Sequence, residues 1–218
     1  MVNVIFDLDG TVTDPGDGFV ASISYALSRL GCQVPANGEI RRHGGPPLEV
    51  SLGILLGNSR DRVPEAVALY RERYGASGYL ENAVYPGVET ALSALRSRGA
   101  ALFVATSKPR VFADRILEHF GLRYLFSAVH GSELDGARSG KAQLIEYLLR
   151  VEALSAGATF MVGDRAQDMA GALANGVVPV GALWGYGSRE ELANAGAAAL
   201  CEHPSQLRDI LPSGPGAS

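Results

Sequence analysis

The sequence predicts an α/β protein, a Rossmann-like parallel sheet flanked by helices, with an all-helical unit inserted after its first strand. Short apolar runs at residues 2–6, 101–105, 159–162 and within 177–183 alternate with helical patterns, as parallel strands buried on both faces do. The first three runs each end abruptly in polar or charged residues, where an open parallel sheet binds its ligands. Between residues 15 and 82 only helical spacing and turn residues occur.

In chain order, Val2 to Phe6 reads as a buried strand that ends in Asp7-Leu8-Asp9-Gly10. Alternation along an extended strand would set Asp7 and Asp9 on one side and return Leu8 to the core. Pro15-Gly16-Asp17-Gly18 reads as a turn, followed by a helix carrying Phe19, Ile23, Ala26, Leu27 and Leu30 and stopped at Gly31. Further helical patterns lie at Leu48 to Leu56 and Pro64 to Tyr74. These observations predict a helical domain at 15–82 and a core domain made of 1–14 and 83–218.

After Tyr85-Pro86-Gly87, a helix with Val88, Ala91, Leu92 and Leu95 on one face ends at Gly99. The strand at 101–105, a helix from Arg110 to Phe120, a short strand at 127–129 and a helix from Lys141 to Arg150 follow. A strand at 159–162, a helix near 167–175 and a strand within 177–183 complete the pattern, and the tail 212–218 is expected to fray.

At 218 residues and 47 % hydrophobic content, the chain has ample material for a buried core. Its formal charge of -4 gives no electrostatic case for a nucleic acid polymer as partner. No apolar run reaches the roughly 20 residues that span a bilayer. Cys32 and Cys201 are far apart and outside metal-ligand spacing, so both read as packing residues in a reducing compartment. The chain opens on strand and loop without a cleavable leader, so a cytoplasmic protein is expected, monomeric or homodimeric, acting on a small molecule.

The strand ends collect chemistry. Asp7 suits a nucleophile that splits one displacement into two. Asp9 suits an acid/base that protonates a leaving alkoxide and then deprotonates water. Asp7 and Asp9 with Asp164 offer hard oxygens for Mg²⁺, and Asp168 lies four residues on to orient a ligand or coordinated water. Thr106 and Ser107 supply hydroxyl and backbone donors for phosphoryl oxygens beside the helix that starts near Pro109, and Lys141 supplies a cation for transition-state charge.

Asp7-Leu8-Asp9-Gly10-Thr11, the Thr106 strand end, Lys141, and Gly163-Asp164 with Asp168 resemble, in order, the four motifs of the haloacid dehalogenase superfamily. Residues 15–82 then resemble the helical cap inserted after the first motif. Gly45-Pro46-Pro47-Leu48, Tyr85-Pro86-Gly87-Val88 and Trp184-Gly185-Tyr186-Gly187 resemble the phosphoglycolate phosphatase branch, and Arg138-Ser139-Gly140-Lys141 resembles its nucleotidase-like members. The resemblance implies a Mg²⁺-dependent phosphatase with Asp7 as nucleophile, Asp9 as acid/base, and Thr106 and Lys141 on the phosphate. It implies that Asp7, the main-chain carbonyl of Asp9, and Asp164 hold the metal, and that Asp9, the second acid of the first motif, favours phosphate over halide chemistry. Phosphoglycolate is the first substrate expected, a nucleoside 5′-monophosphate the second, with a phosphosugar mutase or an inactive binding scaffold as different classes. The chain departs from the branch at His43-Gly44 and at Ala142, which follows the lysine where proline is common.

Alone, each signal has an ordinary reading: Asp-Gly as a turn, Thr106 to Pro109 as a helix cap, Lys141 as a solvated helix residue. Arg42 and His43 in the helical unit are candidate substrate contacts, His43 because it adjoins a Gly-Gly-Pro loop. His119, His130 and His203 read as surface or packing residues, and Trp184 and Tyr186 as aromatic packing or a site rim.

Overall fold

A computed structural model describes residues 2–212. In chain order the regular elements are β1 (Asn3–Phe6), β2 (Thr13–Asp14), α1 (Gly16–Arg29), α2 (Asn37–Arg42), α3 (Leu48–Leu55), α4 (Val63–Ala76) and β3 (Ala83–Val84). They continue as α5 (Val88–Ser97), β4 (Ala101–Pro109), α6 (Arg110–His119), β5 (Ala128–Ser132), α7 (Lys141–Val151), β6 (Thr159–Gly163) and α8 (Ala166–Ala174). The last are β7 (Val178–Ala182), α9 (Arg189–Asn194), β8 (Ala199–Cys201) and α10 (Leu207–Ile210). The chain forms two compact units, one of residues up to Asp14 together with those from Val84 onward, the other Pro15–Ala83.

The larger unit is built on a six-stranded parallel sheet in the order β5-β4-β1-β6-β7-β8. From β1 the chain crosses to β4 and outward to β5, then returns to β6 on the other side of β1. Strand order therefore reverses at β1, and a ligand site belongs at the carboxyl ends of β1, β4 and β6. Register sets those ends side by side, since Phe6 lies opposite both Val104 and Val162. The ladder reaches one residue further through the Asp7 N–H, which donates to the Val162 carbonyl at 2.9 Å.

One sheet face carries Ile5, Phe103 and Met161 against Leu144, Ile145 and Leu148 of α7 and Ala172 of α8. α5 buries Val88, Ala91, Leu92 and Leu95, a stripe at three- and four-residue spacing, and its backbone turns away at Gly99 with φ +79°. In the smaller unit α1 packs on α4, where the Phe19 ring meets Tyr70 edge-on at 6.1 Å and Tyr70 stacks on Tyr74 at 5.2 Å. No helix among the described residues is long and apolar enough to cross a membrane.

The fold class is the expected α/β parallel sheet, with differences in detail. Residues 16–18, which read as a turn, are the first turn of α1, and the glycine at 18 serves a close approach, since a Cβ there would lie 2.0 Å from the Gly78 carbonyl oxygen. α2 has no clear signal in the sequence, since its Asn-Gly start reads as a turn and only Ile40 is buried. β4 runs on to Pro109 and β5 to Ser132, beyond their apolar portions. The short α9, β8 and α10 likewise lack a long apolar run. The tail expected to fray lies outside the described residues from 213 onward.

Candidate active site

β1 stops at Phe6, so a loop rather than strand alternation sets the two acids. The Leu8 carbonyl accepts N–H bonds from Thr11, Val12 and Thr13 at 3.2, 2.9 and 2.9 Å, which curls the chain tightly around Leu8. Leu8 is thereby buried, as expected, while Asp7 is held in the interior and Asp9 stays partly exposed. Gly10 makes the curl possible with φ +88°, and any Cβ there would fall 2.2 Å from Asp164 Oδ2.

Lys141 opens α7 on the same stripe as Leu144, Ile145 and Leu148, so its stem runs inward with the apolar side chains. Gly171 of α8 leaves room for that stem, since a Cβ there would approach Lys141 Cγ to 2.9 Å. The ammonium lies 3.0 Å from Asp7 Oδ1, 2.8 Å from Asp168 Oδ1 and 2.9 Å from the Ala105 carbonyl oxygen. Three acceptors face a group with three N–H donors. Burial works to lower the Lys141 pKa, but the Asp168 and Asp7 carboxylates outweigh it and hold the amine above its ordinary range.

Asp168 sits in the first turn of α8, where its Oδ2 accepts the Arg165 N–H at 3.0 Å and caps the helix start. Burial pushes its carboxyl up to about 6, against the pull of Lys141. Asp164 is fully buried at the end of β6, its Oδ1 accepting the Thr11 hydroxyl at 3.2 Å and its Oδ2 the Tyr186 N–H at 2.9 Å. Burial, then the Asp168 and Asp7 charges, raise its pKa well above the ordinary carboxylate range. Glu191 of α9 steadies this loop from outside, accepting from Arg165 Nε and the Ala166 N–H, both at 2.9 Å.

Oxygens of Asp7, Asp164 and Asp168 lie within 4.8 Å of one another, all three residues buried. Around them four carboxylates, counting Asp9, meet two ammonium groups, Lys141 and Lys108. With all four carboxylates ionised the balance is two negative charges, which a dication neutralises, and an all-oxygen donor set suits Mg²⁺. Asp168 Oδ1 has the ammonium nearby yet no well-directed hydrogen bond. The residues present therefore fit a divalent cation held by Asp7, Asp164 and Asp168. The Asp9 carboxylate is not in that set, because it turns to Lys108 Nζ at 2.8 Å.

Thr106 is buried in β4 at the last regular pair before its register shifts, and its Oγ accepts the Lys108 N–H at 3.2 Å, which leaves its own hydrogen to donate. The Ser107 hydroxyl instead donates to the Ser139 carbonyl at 3.0 Å and so ties down the segment before Lys141. Arg42 is exposed and His43 half-buried at the end of α2 in the smaller unit, where the His43 carbonyl accepts the Ser51 hydroxyl at 2.6 Å.

The residues near 184 take part more closely than either aromatic packing or a rim suggests. Trp184 Nε1 donates to the Thr11 carbonyl at 2.9 Å, and the Tyr186 hydroxyl donates to the Asp14 carboxylate. Gly185 lies flat against the Asp7-to-Gly10 loop, since a Cβ there would sit 2.2 Å from the Gly10 carbonyl oxygen and 2.4 Å from Asp164 Cβ. Gly185→Ala should therefore lower unfolding free energy by about 2–3 kcal/mol in denaturant titration. An unchanged midpoint would mean that this loop does not brace Asp164. Lys108 belongs to the site although it falls in none of the four motifs. Its only signal in the sequence is its place directly after two strand-end hydroxyls.

Outside this group, burial pushes the Cys201 thiol up to about 11, consistent with packing. Both cysteines are free, and His130 Nε2 pairs with Glu152 at 2.8 Å.

The chain matches the haloacid dehalogenase-like hydrolase family over residues 4–182. A 5′-nucleotidase of Pseudomonas aeruginosa is 44 % identical over 211 residues, 97 % of this chain and 96 % of that protein. The tyrosine-protein kinase PtkA of Mycobacterium tuberculosis is 37 % identical over 95 % of this chain and 70 % of its own length. The crystal structure of a predicted phosphatase from Clostridium acetobutylicum superposes with a TM-score of 0.92 at 39 % identity, covering 96 % of this chain and 97 % of that one. The chain belongs to the haloacid dehalogenase-like hydrolases. Within that family it is a phosphoric monoester hydrolase.

Proposed function

We propose that the protein is a Mg²⁺-dependent phosphatase that cleaves a small phosphomonoester through an aspartyl phosphate on Asp7. The observation that carries this reading is the buried Lys141 ammonium bridging Asp7 and Asp168 at the meeting of three strand ends. Asp7 attacks phosphorus as the ester oxygen–phosphorus bond breaks, and Asp9 gives the departing alkoxide a proton. Asp9 then takes a proton from water as that water attacks the aspartyl phosphate, and inorganic phosphate leaves. Lys141 and the Thr106 hydroxyl hold phosphoryl oxygens through both steps. Mg²⁺ bound by Asp7, Asp164 and Asp168, with the Asp9 carbonyl as a further ligand, supplies Lewis-acid stabilisation of phosphoryl charge. Residues 15–82 act as the cap that selects the leaving group, with Arg42 and His43 as candidate contacts, and the enzyme works in the cytoplasm on a diffusible substrate.

For the substrate, full-length similarity to a 5′-nucleotidase favours a nucleoside 5′-monophosphate. The Gly45-Pro46-Pro47-Leu48 and Trp184-Gly185-Tyr186-Gly187 stretches support phosphoglycolate. Turnover of the two at matched concentrations separates them. A panel of phosphomonoesters with and without Mg²⁺ tests the reaction itself, and no phosphate release from any member would refute it. Similarity to a protein named as a kinase makes the phosphoryl acceptor worth testing. A phosphorylated sugar or peptide formed without free phosphate would replace water as that acceptor.

The metal reading has a pH signature. The Asp168 carboxyl, raised to about 6, and the Asp164 carboxyl, raised well above its ordinary range by burial, bind protons more readily folded than unfolded, where a carboxyl titrates near 3.9. The folded state then binds more protons than the unfolded one, so metal-free stability should fall as pH rises from about 4 through about 6. Bound Mg²⁺ displaces those protons, so the rise in melting temperature on adding it should grow from pH 5 to 7.5. A shift that is flat or shrinks over that range would contradict the carboxylate site.

A further inference from the structure

We propose that Lys108 is a positioning residue for Asp9, holding one carboxylate oxygen so that the other is the atom that exchanges protons with the leaving group and water. The inference rests on the acid/base reading of Asp9.

The two oxygens of Asp9 are in different situations. Oδ2 lies 2.8 Å from Lys108 Nζ, in an ion pair whose lysine side chain is only 7 % exposed. Oδ1 is buried and has no hydrogen-bond partner among the described residues. A buried carboxylate oxygen without a donor is costly unless a ligand completes it. Anchoring Oδ2 removes the freedom of the carboxyl to rotate and presents Oδ1 every time. The ammonium still donates to Oδ2 when Oδ1 carries the proton, so the anchor serves both halves of the cycle.

The backbone around Lys108 is built to deliver it. Thr106 of β4 pairs with Gly131 of β5, but the next pair is Pro109 with Ser132, so Ser107 and Lys108 bulge out of register. Bulges re-aim side chains at the rims of sheets. Gly131 makes room, since a Cβ there would lie 2.5 Å from the Lys108 carbonyl oxygen and 2.7 Å from the Arg110 nitrogen. The bulge is pinned by hydrogen bonds: the Lys108 N–H donates to Thr106 Oγ at 3.2 Å and the Ser132 hydroxyl to the Ser107 carbonyl at 2.9 Å.

The test is leaving-group dependence, read as kcat/KM, which reports steps through phosphoryl transfer to Asp7. p-Nitrophenyl phosphate has a leaving group that needs little protonation, and phenyl phosphate and alkyl phosphates have ones that need more. Lys108→Met and Lys108→Gln should each lose about tenfold in kcat/KM on phenyl and alkyl phosphates and less than about twofold on p-nitrophenyl phosphate. The comparison is internal to each variant, so a partly folded preparation cancels out of it. An equal loss on all substrates, or none on any, would overturn the role. Asp9→Asn is the reference: if it shows no leaving-group dependence, the acid reading of Asp9 fails. If Asp9→Asn shows it and neither Lys108 variant does, only the positioning role fails.

Discussion

Asp7→Asn should abolish phosphate release, lowering kcat/KM by at least about 10³-fold, while leaving the fold intact. The size follows from the role, because an amide does not form the aspartyl phosphate and no neighbouring group stands in for it. Asp164 and Asp168 hang on other partners, and Lys141 keeps Asp168 and the Ala105 carbonyl, so the electrostatic effect on stability should be small. Its sign follows from the crowding. The charge on Asp7 helps to raise the Asp164 and Asp168 carboxyls, so removing it relieves repulsion and the metal-free melting temperature should not fall. Activity within tenfold of the parent would remove Asp7 from the chemistry.

Lys141→Met should be the most damaging single change to stability. It keeps most of the stem that lies beside Gly171 and deletes the cation between two buried carboxylates. Breaking a buried pair in this way costs about 3–5 kcal/mol, more than the pair contributes relative to apolar isosteres, because the charges left behind lack compensation. Denaturant titration without metal should show that loss, and Mg²⁺ should return part of it, stabilising the variant more than the parent. Turnover should fall by about 10²–10³-fold even with saturating metal, as for loss of one transition-state donor. A variant as stable as the parent without metal would mean that Lys141 is not the counter-ion of this cluster.

The sheet was legible in the sequence because its central strands are buried on both faces and read as unbroken apolar runs. The elements that were not legible are those whose burial is partial: α2 hides one isoleucine, and β8 is three residues at the sheet edge. Lys141 illustrates how a site residue stays ambiguous. A lysine at a helix start reads as solvated, yet it continues the Leu144, Ile145 and Leu148 stripe at helical spacing, a pattern carried by the sequence itself. Lys108 had no comparable signal, since a two-residue bulge depends on strand register and on a glycine in the neighbouring strand. The Trp184 and Tyr186 contacts were hidden for a related reason. They join residues more than 170 positions apart through a backbone carbonyl and a short acid, which composition does not reveal.

The central claim, covalent phosphoryl transfer through Asp7, is tested most directly by trapping the intermediate. Enzyme mixed with Mg²⁺ and p-nitrophenyl phosphate, quenched in acid within one turnover and digested, should yield a phosphorylated peptide containing Asp7 that hydroxylamine cleaves as an acyl phosphate. Rapid turnover with no phosphoryl group on that peptide, or with the group on another residue, would contradict it.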